Sequence, residues 1–316
     1  MTFAQKAGEP PVIRAIVFPG GFNWPIFAAR RLGFFAAQGI EVTLEPTTDS
    51  KHQMAGLIDG EYDLAMTAID NVYAYNAGQG EAPTRNVADL IAVMGADSGF
   101  LNLVGVPGTE SIAGLAGRRV GVDALTTGYA FVLLRMLEQA GVGREDVDFV
   151  GSGGVMARFG ALMNREFDAT LLVSPFDAAA TKQGFVHLES GLEALGSYQG
   201  VVATVRRDWA AKNEAAVTGY IRAWRQAVAW LFDPANREAA IGLLLEEVPQ
   251  MDPDVAAISY EVLLDPTTGF YSDGAINMDG ARVALELRRA YGAPDARLGQ
   301  VADHLDTRYH AASGGA

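Results

Sequence analysis

The stretch "GEYDLAMTA", Gly60–Ala68, returns later in the chain as "REFDATLLV", Arg165–Val173. Each runs from a glutamate, an aromatic and an aspartate into a short apolar segment, the pattern of a buried strand entered from a turn. Such an entry is common on its own, and it is the order of elements around the pair that makes it a repeat. Before the first copy, Val12–Phe18 reads as a buried strand, Trp24–Ala37 as a helix stopped by Gly39, and Ile40–Leu44 as an alternating strand. The polar "TTDS" of Thr47–Ser50 starts the next helix, which Gly60 ends. After the copy come a helix from about Asp70 to Ala77 and a strand Leu90–Met94.

From Leu101 the series restarts. Val120–Val122 reads as a strand, "LTTGY" opens a helix that Gly141 ends, Val147–Val150 is a strand, and a helix is expected from about Val155 to Asn164. The βαβαβαβ order predicts an α/β protein with a mainly parallel sheet flanked by helices in each of two lobes. No low-complexity linker divides them. The crossings fall near Asp97–Leu101 and Gly196–Val201, so residues 1–96 plus 202–316 are expected to form one discontinuous lobe and 97–201 the other. After Val201–Val205 a long helical region follows, including "AAVTGYIRAWRQAVAWLF".

Composition removes several function classes. Of 316 residues, 49% are hydrophobic and 20% charged, as in a packed globular chain, and no apolar run approaches the roughly 18 to 20 residues needed to span a bilayer. A net charge of −14 without clustered Lys or Arg argues against nucleic acid as a partner. Cysteine is absent, which excludes disulfides, thiol nucleophiles and cysteine-based zinc sites. The opening "MTFAQKAGEPP" has no apolar core of a secretory signal, and the small residues around Ala4 are compatible with the tail of a cleaved one. Export to the periplasm and a cytoplasmic location both remain open at this stage.

In an open parallel sheet, ligands bind beyond the carboxyl ends of the strands, where loops lead into helix N-termini. The loops so placed are Gly20–Trp24, Thr47–Ser50, Thr67–Asp70, Thr126–Tyr129 and Ser174–Phe176, with Gly151–Gly154 at a similar edge. Asn23, Thr48, Ser50 and Thr126 also read as ordinary helix caps, and Pro25 suits a first turn. Phe22 and Trp24 are large aromatics in a cap loop and are candidates for a pocket wall. Asp70 either caps its own helix or accepts from a ligand N–H. Neither "PGGFNWP" nor "GSGG" has the lysine or spacing of a phosphate loop. The four histidines show no metal-binding spacing, no nucleophile elbow is present, and no cofactor or metal is expected.

With these loops in place, "FNWPIFAARRLGFFAAQGIEVTLEP", "QMAGLIDGEYDLAMTAIDNVYAYNAGQGE", "SIAGLAGRRVGV" and "FYSDGAINMDGARVALELRRAYG" together resemble type II periplasmic substrate-binding proteins of ABC importers. The branch they are most similar to handles alkanesulfonates, taurine and thiamine-pyrimidine precursors. The resemblance runs from about Val12 to Gly292. It implies a two-lobed type II periplasmic-binding-protein fold, joined by two crossing segments and closing on a small molecule, with an ABC permease as partner and a monomeric state. It places Phe22, Asn23, Trp24, Thr48, Asp49, Thr67, Asp70 and Phe100 on one wall and its hinge. Thr126, Thr127, Tyr129, Ser174 and Phe176 fall on the other wall, and Tyr198 near the second crossing.

"LTTGY" stands where sulfonate-binding members have a Ser/Thr-rich helix start. No arginine sits in these loops, while Asp49, Asp70 and Asp97 crowd the same edge. Unpaired carboxylates repel a sulfonate, so the expected ligand is a small aromatic or heteroaromatic molecule, stacked on Phe22, Trp24, Tyr129 and Phe176. The alternative is an enzyme on the same fold, because the branch also resembles yeast-type thiamine pyrimidine synthases. Those rely on a Lys and a His after the third strand, where this chain has "MTAIDN". Lys51, His52 and Asp70 are the residues left for acid–base chemistry in that reading.

Overall fold

A computed structural model describes residues 10–294 and 297–314; the opening "MTFAQKAGEPP" lies almost wholly outside them. Among the described residues ten strands form two five-stranded sheets. The first contains β1 (Val12–Val17), β2 (Glu41–Pro46), β3 (Leu64–Ala68), β4 (Leu90–Gly95) and β10 (Val201–Arg206), in the order β2-β1-β3-β10-β4. The second contains β5 (Leu101–Gly105), β6 (Arg119–Val122), β7 (Asp148–Gly151), β8 (Ala169–Val173) and β9 (Val186–Ser190), in the order β7-β6-β8-β5-β9. The two orders superimpose strand for strand. In each, three parallel strands are followed by one antiparallel strand that arrives from the other half of the molecule.

The repeated aspartate has a structural cause. At the entry to β3, Asp63 N donates to Arg14 O at 2.9 Å and its carboxylate accepts from Arg14 N at 3.0 Å. At the entry to β8, Asp168 N donates to Arg119 O at 2.7 Å and its carboxylate accepts from Arg119 N at 3.0 Å. In both sheets the aspartate therefore closes the bottom of the parallel pair, supplying an acceptor to the first N–H of the neighbouring strand that the ladder leaves free.

The sheet is mainly parallel as expected, and β10, arriving from downstream, lies between β3 and β4 and runs antiparallel to both. The single helix expected over Trp24–Ala37 is two, Trp24–Arg31 and Phe34–Ala37, because Gly33 adopts the left-handed conformation at φ +76°.

The crossings lie side by side. Asp97 O accepts from Gly200 N at 2.9 Å, Ala96 N donates to Val201 O at 2.9 Å, and Gly99 and Phe100 both take positive φ as the chain turns into β5. A Cβ on Gly200 would stand 2.1 Å from Gly99 N, so these strands pass closer than any side chain permits. The apolar faces of both sheets are covered by helices, the longest being Glu214–Phe232 against the first sheet, whose Tyr220, Ile221, Trp224 and Val228 are fully buried. Among the described residues no helix is long and apolar enough to cross a membrane.

Candidate ligand-binding site

A cavity of about 120 Å³ lies between the two sheets, beyond the carboxyl ends of β1, β3, β6 and β8. One side is lined by Phe18, Phe22, Asn23, Ser50, Met66, Thr67, Asp70 and Asn71, and the other by Asp123, Thr127, Gly128, Tyr129, Gly154, Val155, Arg158 and Val173. The crossings close the floor with Asp97, Gly99, Phe100 and Val201. Apolar and aromatic side chains share this lining with convergent polar groups, a combination found in small-molecule sites.

Local geometry explains who reaches the cavity. A 3-10 turn over Gly21–Asn23 precedes the helix that begins at Trp24, and the Phe22 ring folds back over Gly20, where a Cβ would lie 2.4 Å from it. Asn23 occupies the cap position but makes no side-chain cap; its amide donates to Phe18 O at 2.6 Å and braces the loop. Thr127 caps the helix Gly128–Gln139 by accepting from Ala130 N at 3.2 Å, and its hydroxyl donates to Asp123 at 2.8 Å. Thr67 Oγ1 accepts from Asn71 Nδ2 at 2.8 Å. Phe100 packs edge-to-face on Phe270 at 5.3 Å between ring centres.

The charges are arranged differently from the sequence-based expectation. Asp70 is gripped by Arg288, whose Nε and Nη2 donate to its two carboxylate oxygens at 2.5 and 2.6 Å with both side chains buried. Burial pushes the Asp70 carboxyl up, and the Arg288 guanidinium opposes that rise. Asp97 Oδ1 accepts from Gly99 N at 2.8 Å and Val201 N at 3.0 Å; its burial prevails over these bonds and raises its pKa to about 6. Burial also pushes the Tyr129 hydroxyl well up, so it remains a hydrogen-bond donor. Asp49 is exposed and off the cavity, capping its helix by accepting from Lys51 N at 2.8 Å.

Arginine, thought missing from the site, is present. Arg158 lies one turn inside the helix Val155–Met163, is only 3% exposed, and lines the cavity. Its Nη1 donates to Gly153 O at 2.7 Å and its Nε to Leu171 O at 3.3 Å. The repulsion argument against anions therefore loses most of its basis: Asp70 is paired, Asp49 is elsewhere and a buried cation faces the space, while Asp97 and Asp123 remain in the lining. A signal for Arg158 stood in the sequence, since it is the one charged residue in the nine of "VMARFGALM" and follows the glycine loop by a turn.

Of the residues expected at the site, Phe22, Asn23, Thr67, Asp70, Phe100, Thr127 and Tyr129 meet at the cavity. Trp24 does not. It is fully buried, donates from Nε1 to Ala240 O at 3.2 Å and packs edge-on to Tyr260. Phe176 packs against Phe159 in the core behind the second sheet. Ser174 is buried behind Val173 and accepts from Asn102 Nδ2 at 3.2 Å, and Thr48 is exposed. Thr126 turns its hydroxyl to Glu81 and its carbonyl to Arg288. Tyr198 is buried beside the crossings, outside the lining.

The acid–base set does not assemble. Lys51 pairs with Glu81 at 2.8 Å on the surface, His52 lies 3.3 Å from the Tyr62 hydroxyl, and neither lines the cavity. Among the described residues no cluster of His, Asp or Glu is arranged to hold a metal ion.

Structural comparison finds the same two-lobed fold in the alkanesulfonate-binding protein SsuA from Xanthomonas axonopodis pv. citri bound to MOPS, with 19% identity, 95% of this chain and 99% of that chain covered, and a TM-score of 0.76. The periplasmic nitrate-binding protein NrtA from Synechocystis PCC 6803 shares it at 12% identity, 97% and 89% coverage and a TM-score of 0.80. So does a DSZB mutant in complex with biphenyl-2-sulfinic acid, at 15% identity, 96% and 99% coverage and a TM-score of 0.64. At such identities the likeness establishes the fold alone. Comparison with curated proteins gives no match. The profile of the family described as NMT1/THI5 like matches residues 23–237, more than half of the chain, and the protein belongs to that family.

Proposed function

We propose that this protein is the solute-capturing component of an ABC importer and holds a small aromatic or heteroaromatic molecule, unaltered, between its lobes. The observation that carries this reading is the cavity itself: it takes one wall from each sheet, and Phe18, Phe22, Phe100 and Tyr129 supply its aromatic surface. Residues 1–96 with 202–316 and residues 97–201 act as the two jaws, and the paired crossings at Asp97–Phe100 and Tyr198–Val201 as the hinge. In this reading the protein works in the periplasm as a monomer and delivers its ligand to a permease. The solute-binding proteins named above support it through their shared fold.

Capture without turnover is supported by the dispersal of Lys51 and His52 away from the cavity. Isothermal titration with pyrimidines, aromatic acids and alkanesulfonates tests the proposal. Saturable binding of an aromatic ligand, recovered intact after prolonged incubation, is the expected result. Binding of alkanesulfonates alone would overturn the aromatic assignment.

A further inference from the structure

Arg158 and Asp123 are opposite charges in one cavity, and neither forms an ion pair among the described residues. Arg158 is only 3% exposed, yet among the described residues only its Nε and Nη1 have protein acceptors, both main-chain carbonyls. Nη2 is left without one, in a residue that lines the cavity. A buried charge costs several kcal/mol unless a counter-charge is in contact, and Asp123 acts on Arg158 only from beyond ion-pair distance. Burial lowers the Arg158 pKa, but a guanidinium keeps its proton throughout the working range.

The surroundings of Arg158 fit an anion as well. Its helix Val155–Met163 starts at Gly154 with no side-chain cap, and Gly154 and Val155 line the same wall. The free N–H groups of that first turn add to the positive potential. Asp123 faces the cavity from the end of β6, with one carboxylate oxygen accepting from Thr127. An anion seated on Arg158 without a compensating donor would be repelled by this carboxylate. A ligand that also carries an N–H group satisfies both.

Resting on the capture reading above, we infer that the ligand is a compact aromatic acid bearing an N–H donor, with its anionic group on Arg158 and its N–H on Asp123. Asp70 takes no part, because Arg288 already occupies both of its oxygens. The apolar ring lies against Phe18, Phe22 and Met66.

Titration calorimetry with benzoate, the three aminobenzoates, benzamide and aniline decides the matter. At least one aminobenzoate is expected to bind more tightly than benzoate, and benzoate more tightly than benzamide or aniline. Arg158→Gln should weaken the best aminobenzoate about 10- to 100-fold and erase the preference for benzoate over benzamide. Asp123→Asn should erase the preference for aminobenzoate over benzoate. Thermal unfolding of each variant is followed in parallel; if Arg158→Gln unfolds, Arg158→Lys, which keeps the charge, should retain the preference for acids over amides. Benzamide binding as tightly as benzoate, or a folded Arg158→Gln protein with unchanged discrimination, overturns the inference and leaves capture standing. No binding by any member overturns the inference, and failure of the pyrimidines and alkanesulfonates to bind as well overturns capture.

Discussion

Arg288 holds Asp70 with two hydrogen bonds of 2.5 and 2.6 Å and donates with the same Nη2 to Thr126 O at 2.9 Å, so one guanidinium ties the wall of the first sheet to the helix start of the second. Its face lies 4.9 Å from the centre of the Phe131 ring. Removing the cation strands a buried carboxylate. Arg288→Leu is expected to destabilise the protein by about 3–5 kcal/mol, and adding Asp70→Leu to restore part of that loss. Urea unfolding of the two single variants and the double variant measures it.

Gly128 lies directly against the opposite wall. A Cβ there would stand 2.4 Å from Asp70 Cβ, which is held in place by Arg288. Gly128→Ala should push the walls apart and weaken ligand binding by about 1–3 kcal/mol. Small-angle scattering should show a larger radius of gyration, with far-ultraviolet circular dichroism unchanged.

Asp97 makes stability depend on acidity in a direction opposite to that of a salt-bridged carboxylate. Its folded pKa of about 6 exceeds the ordinary aspartate value of 3.8, so between those values the folded state binds more protons than the unfolded one. Its contribution is greatest below pH 3.8, falls as the pH rises towards 6, and is then constant; the loss amounts to about 3 kcal/mol. Asp97→Asn keeps an acceptor for Gly99 N and Val201 N and cannot ionise. Unfolding free energies at pH 4 and pH 7 should therefore differ between the two proteins, with the variant gaining relative stability at pH 7.

Neighbouring aromatics in one loop should behave in opposite ways. Trp24→Ala empties a fully buried site and is expected to cost about 3–5 kcal/mol of stability. Phe22→Ala removes a half-buried ring from the cavity wall and should cost about 1–2 kcal/mol of ligand affinity with a smaller change in melting temperature. Calorimetry of unfolding and of binding separates the two effects.

The parallel cores β2-β1-β3 and β7-β6-β8 were legible because their apolar runs, glycine stops and the repeated aspartates are local signals. The place of β10 was not, since its partners β3 and β4 lie more than a hundred residues upstream and pairing across that distance leaves no periodicity. Loop positions located the cavity, but side-chain direction decided its lining. The turn at Gly21–Asn23 sends Phe22 inward and Trp24 into the core, which composition does not show. Asp70 read as unpaired because Arg288 sits on a distant helix, Met278–Tyr291. Arg158 is not visible in the loops because it stands one turn inside the helix Val155–Met163.

The crossed connectivity also sets an order of assembly as the chain leaves the ribosome. Every strand of the second sheet lies within residues 101–190, whereas the first sheet lacks the strand between β3 and β4 until Arg206 has been made. For that interval two hydrogen-bonding edges stand open in the earlier-made half, the exposure that invites mispairing and chaperone capture. The later-made half can complete its sheet first, and the older one is finished by a strand that must come back to it.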